Sequence, residues 1–143
     1  MNAIDTNILV YAHRADSPWH ESAKAFVETA LTSDEKHGIP YHCIVEFFGI
    51  VTNARIFKKP TAPETAIKQC RHLIAAPAVQ ILTESSSSFE ILAPLLAKSR
   101  VTGSAVHDAR IAAVCLENGV RVIYTLDRDF SRFAGLRVKN PLG

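Results

Sequence analysis

The sequence lacks the features that mark several classes of protein. Its three cysteines, Cys43, Cys70 and Cys115, are far apart and form no CxxC pair, which argues against a disulfide framework or a zinc knuckle. No apolar run approaches the roughly 20 residues of a membrane span, and the N-terminus lacks a basic segment followed by an apolar one. We therefore expect a cytoplasmic protein with reduced thiols and no membrane partner.

An excess of charge of either sign is also missing. The chain has 16 Lys and Arg residues against 14 Asp and Glu residues, a net charge of +2 over 143 residues. This balance is too mild to indicate nucleic-acid binding by itself. The length and an apolar content of 48% predict one globular domain, residues 1–143, with a core of its own.

Short β-branched or apolar segments alternate with amphipathic ones along the chain. The predicted strands are 2–4, 39–42, 78–82, 120–125 and 136–138, and the predicted helices are 8–14, 19–31, 43–53, 64–74, 89–98 and 106–117. This alternation predicts an α/β fold, a parallel β-sheet flanked by helices on both faces. In such folds ligands bind beyond the carboxyl ends of the strands. Asp5 and Asp127 each follow a predicted strand directly, so both should lie at that edge.

Four acidic residues stand apart from the charged surface clusters. Asp5, Glu46, Asp108 and Asp127 each lie in or beside an apolar stretch, near the end of a predicted strand or helix. A lone acid in such a position is costly to desolvate. Taken singly, each is compatible with a helix cap, an acid in the first helical turn or a paired glutamate. Together they predict an oxygen-rich pocket of the kind that Mg²⁺ or Mn²⁺ prefers.

Four segments carry a resemblance to a known family. They are Ile-Asp-Thr-Asn-Ile-Leu-Val-Tyr-Ala at 4–12, Val-Glu-Phe-Phe at 45–48, His-Asp-Ala-Arg-Ile-Ala-Ala at 107–113 and Thr-Leu-Asp-Arg-Asp-Phe at 125–130. In this order they resemble the PIN-domain nucleases, in particular the VapC toxins of bacterial toxin–antitoxin pairs. The resemblance covers nearly the whole chain and implies a PIN-like α/β/α sandwich.

The resemblance also implies an activity, a site and partners. The activity is a metal-dependent endoribonuclease with one or two Mg²⁺ or Mn²⁺ ions, acting on RNA such as tRNA, rRNA or mRNA. The acids of the family match Asp5, Glu46, Asp108 and Asp127, with Asp129 as an alternative fourth acid, and its supporting polar positions match Thr6, Asn7 and Thr125. The implied partners are a VapB-like antitoxin and a second copy of the chain, in a homodimer.

Arginines near these motifs are candidates for contacts with RNA phosphates, although isolated arginines are usually solvated surface residues. The candidates are Arg14, Arg110, Arg128 and Arg132. His107, beside the third acid, is expected to be a packed or solvated residue at a helix start rather than a general acid.

Other readings of the acids are weaker. A HAD-type phosphatase needs a second Asp two residues after the first, where this chain has Asn7. A receiver domain would place its key Asp after a middle strand and a Lys after a late one, and neither is evident. A catalytically silent PIN scaffold that binds RNA or protein stays open as an alternative.

Overall fold

A parallel sheet of five strands runs through the centre of the computed structural model, which describes all residues from Met1 to Gly143. The strands are β1 (Asn2–Ile4), β2 (His37–Pro40), β3 (Val79–Leu82), β4 (Val122–Tyr124) and β5 (Arg137–Lys139). The helices are α1 (Thr6–His13), α2 (His20–Leu31), α3 (Tyr41–Val51), α4 (Pro63–Ala75), α5 (Ser88–Ser99) and α6 (Val106–Glu117). Two 3₁₀ turns, Gly103–Ala105 and Arg128–Arg132, precede α6 and follow β4.

The strand order places the end of β1 at the point where the chain changes direction across the sheet. The order is β3-β2-β1-β4-β5 and every pair is parallel, with Ala3 opposite Gly38 on one side and opposite Ile123 on the other. The chain therefore builds outward from β1 to β3, then returns to the other side of β1 to begin β4. Such a reversal opens a crevice at the carboxyl ends of the two central strands, where ligands of open α/β sheets bind.

The helices cover both faces of the sheet. The helix α1 packs on α2 and α3, and α3 packs on α4, whereas α5 packs on α6. Because crossovers between parallel strands are right-handed, connections that run in opposite directions across the sheet lie on opposite faces. Helices α1 to α4 thus form one layer and α5 and α6 the other, and the predicted α/β/α sandwich is confirmed. None of the helices is both long and apolar enough to span a membrane.

The core contains only three buried residues that are polar or charged. They are Asp5, Thr6 and Thr125, with 5%, 3% and 1% of their surface exposed. All three immediately follow β1 or β4, whereas the strands themselves contribute apolar side chains such as Ile4 and Ile123. Polar burial is therefore concentrated at the crevice that the strand order creates.

Several predicted boundaries are off by one or two residues, and the second strand shows the reason most clearly. The second strand was expected at 39–42 but runs from His37 to Pro40, and the helix that follows it begins at Tyr41. The strand starts early because it pairs along its whole length with β3, from His37 opposite Val79 onward. It ends at Pro40, whose backbone has no N–H to continue the ladder.

We expect two glycines to respond oppositely to replacement by alanine. A Cβ on Gly38 would lie 2.8 Å from Cδ1 of Leu82, which is buried and closely packed, so Gly38→Ala should lower the free energy of unfolding by about 1–3 kcal/mol. Gly49 lies in α3, and apart from its own turn of helix nothing lies within 4 Å of the added carbon, so Gly49→Ala should raise the free energy of unfolding by about 0.5–1 kcal/mol. Urea unfolding measures both, and a stabilising Gly38→Ala would contradict this packing.

Candidate active site

Asp5 is the centre of the polar network at the crevice. It directly follows β1 and caps α1, with its Oδ1 accepting a hydrogen bond of 2.7 Å from the Thr6 backbone N–H. Its Oδ2 accepts a 2.7 Å hydrogen bond from the Thr125 hydroxyl, and the Cys43 thiol lies 3.8 Å from Oδ1. The helix cap considered from the sequence is therefore real, but the same carboxylate also joins β1 to the end of β4.

Thr125 has a fixed orientation because three groups contact its hydroxyl. The oxygen accepts hydrogen bonds from the Asn7 side-chain amide at 3.0 Å and from the Asp127 backbone N–H at 2.9 Å. With both acceptor positions filled, its single proton is left to donate to Asp5. Of the three supporting residues predicted from the sequence, Thr6 and Thr125 contact Asp5 directly and Asn7 acts through Thr125. The Thr6 hydroxyl itself is buried without any hydrogen-bond partner.

Asp127 and Asp129 occupy the turn that leaves β4. Asp127 caps the 3₁₀ turn Arg128–Arg132, and its Oδ1 accepts a hydrogen bond of 2.9 Å from the Asp129 backbone N–H. Asp127 is half-buried and bonded through its own N–H to Thr125, whereas Asp129 is exposed. The structure therefore ties Asp127 more closely than Asp129 to the network around Asp5.

The carboxylates act on one another across the crevice. Burial raises the pKa of Asp5 from 3.8 to about 6, against the hydrogen bonds from Thr125 and Thr6, and the negative charges of Glu46 and Asp108 add to the rise. Burial likewise raises the pKa of Asp108, with contributions from Asp127, Glu46 and Asp129 that the cation of Arg132 partly offsets. Acids from four distant segments thus lie within electrostatic reach of each other.

The chemistry of these donors fits a hard divalent cation. The cluster offers carboxylate oxygens, which Mg²⁺ and Mn²⁺ prefer, and its raised pKa values indicate negative charge that the protein leaves partly uncompensated. No three of the His, Cys, Asp and Glu side chains converge closely enough to hold a metal ion as they stand. Carboxylates that repel one another are expected to stay apart without a cation between them.

The four candidate arginines have different surroundings. Arg132 lies 3.5 Å from Asp108 at the edge of the cluster, and Arg128 is exposed on the 3₁₀ turn without an ion pair. Arg110 forms a bidentate salt bridge with Glu84, in which Nη2 of Arg110 lies 2.6 Å from Oε1 of Glu84. These contacts leave Arg128 the most available of the three to an outside phosphate.

Arg14 is the least available of the four. Only 11% of its side chain is exposed, and it pairs with Asp16 at 2.7 Å. It also donates a 2.9 Å hydrogen bond to the Lys59 carbonyl and lies 4.1 Å above the Phe57 ring. These contacts give Arg14 a structural role in holding the loop after α3.

A histidine pair at the site was missed by the sequence reasoning. The rings of His42 and His107 stack with centroids 5.7 Å apart and an interplanar angle of 10°. His42 precedes Glu46 by one helical turn and His107 precedes Asp108 directly. Placement of both beside predicted acids was the available signal, but only the fold brings the first turns of α3 and α6 to the same crevice from opposite faces of the sheet.

We expect Asp5 to make the metal-free protein less stable as the pH rises. A folded pKa of about 6, against 3.8 when unfolded, means that the folded state binds the proton more tightly. The contribution is therefore fully present below pH 4 and is lost as the pH rises through about 6, by roughly 3 kcal/mol in total. Asp5→Asn should remove this loss, as measured by urea unfolding in EDTA between pH 4 and pH 7.

The pH dependence of stability must be compared between Asp5→Asn and the parent protein, because other groups titrate in the same range. Burial lowers the pKa values of His13 and His42, which gives a pH dependence of stability of the opposite sign in the same range. Asp16→Asn is the control, because a hydrogen bond from Arg14 lowers the pKa of Asp16 from its ordinary value, a shift opposite in direction to that of Asp5. Equal pH dependence in the parent and Asp5→Asn would contradict a raised pKa of the buried Asp5 carboxylate.

Comparison with known proteins agrees with this geometry. A model of the PIN domain matches residues 3–136. Ribonuclease VapC43 of Mycobacterium tuberculosis is 36% identical over 142 residues, covering 99% of this chain and 96% of the relative. Ribonuclease VapC25 of the same organism is 30% identical over 141 residues, covering 99% of each chain.

Solved structures show the same fold at lower identity. The M. tuberculosis toxin VapC20, which cleaves the sarcin-ricin loop, superposes with a TM-score of 0.70 at 18% identity, covering 96% of this chain and 99% of that one. VapBC2 of Rickettsia felis, bound to a DNA fragment from its promoter, gives 0.69 at 18% identity and 97% of each chain. By its domain match and its identity to curated relatives, the chain belongs to the PIN-domain family and, within it, to the VapC ribonucleases.

Proposed function

We propose that this chain is an endoribonuclease that requires Mg²⁺ or Mn²⁺ and that its acid cluster is the active site. The family supports hydrolysis of RNA phosphodiester bonds. The observation that carries the metal requirement is the buried Asp5 carboxylate, whose pKa is raised to about 6 beside Glu46 and Asp108. A protein gains nothing in stability from such a carboxylate, but a divalent cation would relieve it.

The residues of the site divide into those that would bind a cation and those that orient these ligands. Asp5, Asp108 and Asp127 would bind one or two ions, and Glu46 would either bind or orient the attacking water. A bound divalent ion supplies a water of lowered pKa and offsets the charge that develops on the phosphodiester. Thr125 fixes Asp5 through its hydroxyl, and Asn7 fixes Thr125. Asp129 is the alternative to Asp127, and its exposed position makes it the weaker ligand.

A catalytically silent scaffold is the second candidate. It is favoured by one observation, that no three potential ligands already converge on a common point. Such a protein would bind RNA or another protein through the same crevice without cleaving it. Binding of Mn²⁺ and cleavage of RNA, measured on one preparation, distinguish the two functions.

Partners follow from the same family. We propose that tRNA, rRNA or mRNA is the substrate, that a VapB-like antitoxin inhibits the enzyme, and that two copies form a homodimer. Exposed apolar side chains offer surfaces for such contacts, namely Tyr41, Val45, Ile74 and Phe89. Light scattering of the protein, alone and with a candidate antitoxin, would test both assemblies, and a monomer that binds no antitoxin would contradict them.

We expect the purified protein to cleave structured RNA with Mg²⁺ or Mn²⁺ and not with EDTA. Asp5→Asn and Asp108→Asn should each lower the rate about 1,000-fold or more, because a metal site stabilises the transition state by several kcal/mol. Asp34→Asn, in an exposed loop, is the control and should retain full activity. The readout is the rate of product formation on a gel, with circular dichroism to confirm folding.

Two outcomes would count against this assignment. Full activity in Asp5→Asn would show that the acid cluster is not the active site. Neither cleavage nor Mn²⁺ binding by the parent would favour the silent scaffold.

We expect Arg128 to contact an RNA phosphate. Arg128→Ala should weaken RNA binding and lower the slope of log affinity against log salt concentration by about 0.7–0.9, the value for one lost phosphate contact. Arg110→Ala is the matched control, because Arg110 is already paired with Glu84. Fluorescence anisotropy in the Asp108→Asn background measures both slopes without cleavage. An equal reduction in the two variants would contradict a specific role for Arg128.

A further inference from the structure

A cavity of about 320 Å³ lies beside α1, and one of its lining residues, Asn7, belongs to the hydrogen-bond network around Asp5. Its walls come from α1 with Asn7 and Tyr11, from the loop before α2 with Asp16 and Ser17, and from the segment after α3 with Ile56 and Phe57. Asn7 belongs to both places, because its amide also donates a hydrogen bond to the Thr125 hydroxyl. Two hydrogen bonds therefore connect the cavity to the Asp5 carboxylate.

Arg14 holds two walls of this cavity in place. Its guanidinium donates to both carboxylate oxygens of Asp16, at 3.0 and 2.7 Å, and lies 4.1 Å above the ring of Phe57. A further hydrogen bond of 2.9 Å reaches the Lys59 carbonyl. The cavity is thus organised by fixed contacts before any ligand enters, which lowers the entropy lost on binding.

The lining is apolar and aromatic with polar groups at its edges. Tyr11 packs against Trp19 with ring centroids 5.0 Å apart, and Trp19 is 44% exposed. Ile56 is 54% exposed although its side chain borders the cavity. Large exposed apolar side chains around a concavity indicate a binding surface. The flat faces and polar edges of a nucleobase suit such a lining, because bases stack on aromatic side chains and form hydrogen bonds at their edges.

We propose that this cavity, which we call the α1 pocket, receives one unpaired nucleobase of the RNA next to the phosphodiester at the acid cluster. The inference rests on the proposed function. The volume of the α1 pocket lies at the lower end of the roughly 300–1,000 Å³ that is typical of small-molecule sites. A cavity of this size suits a single base rather than a duplex. Bound in this way, the base would select which phosphodiester of a single-stranded segment reaches the acids.

An apolar side chain of a protein partner is the other occupant to consider. The direct hydrogen-bonded connection through Asn7 to Thr125 favours a ligand that also reaches the acids, as an RNA strand would. The amide and hydroxyl groups of Asn7 and Ser17 at the edges also favour a base over a purely apolar side chain. The experiment therefore includes an outcome that identifies a protein occupant.

The test uses RNA that lacks single bases. A cut site is first mapped on structured RNA with Mn²⁺, and a short single-stranded oligonucleotide spanning it is then made with each base near the cut replaced in turn by an abasic ribose. Binding to Asp108→Asn protein is measured by fluorescence anisotropy. We expect one abasic position to weaken binding roughly 5- to 150-fold, the range for loss of one stacked base.

Variants of the α1 pocket should then bind the intact RNA and the abasic RNA with similar affinity. Tyr11→Ala and Ile56→Ala in the same background should weaken binding of intact RNA but not of the abasic RNA. The abasic RNA already lacks the base that these side chains would contact. Tyr11→Phe keeps the ring and should behave as the parent. Ile67→Ala, an exposed isoleucine on α4, is the matched control. Ile56 is largely exposed, so its replacement tests the proposal even where Tyr11→Ala unfolds.

Three outcomes would overturn the proposal. Variants that lose as much affinity for the abasic RNA as for intact RNA would show that the α1 pocket does not hold that base. Unchanged RNA binding with loss of binding to a protein partner would assign the α1 pocket to that partner. If the parent neither cleaves nor binds RNA, the proposed function fails together with this inference. If the parent cleaves RNA but the pocket variants lose affinity whether or not the base is present, only the inference is overturned.

Discussion

The buried carboxylate of Asp5, at the point where the strand order reverses, determines how the rest of the site is arranged. A charge with 5% of its surface exposed must be compensated from within, and the Thr6 N–H and the Thr125 hydroxyl each donate to one of its oxygens. Those donors require their own supports, which Asn7 and Asp127 provide to Thr125. The raised pKa of Asp5 indicates that this compensation is incomplete in the metal-free protein.

Topology explains why the acids meet although they are distant in sequence. Parallel strands end at the same edge, and the reversal between β1 and β4 leaves no helix directly over that edge. Asp5 follows β1 and Asp127 follows β4 closely, while α3 and α6 bring Glu46 and Asp108 to the same crevice from opposite faces. A single site therefore receives residues from both helical layers of the sandwich.

The sequence was sufficient for the order of elements, the sandwich and the family, because periodicity and lone acids are local signals. It was insufficient where long-range contacts decide. Pairing with β3 moved the start of β2 to His37. Arg14 was expected at an RNA phosphate, but its partners Phe57 and Lys59 lie more than 40 residues away. No local pattern connects His42 with His107 or forms the α1 pocket from three separate segments.

Arg132 partly offsets the negative charge of the acid cluster and still leaves the carboxylates accessible to a cation. Its distance of 3.5 Å from Asp108 is long for an ion pair, and both side chains are about one-third exposed, at 33% and 30%. An exposed pair of this kind contributes little, typically 0–1 kcal/mol, so a divalent ion could displace it at small cost. In the proposed reaction Arg132 would then be released beside the active site as the RNA phosphate arrives. The same side chain would thus lower the repulsion among the acids before binding and attract the substrate afterwards.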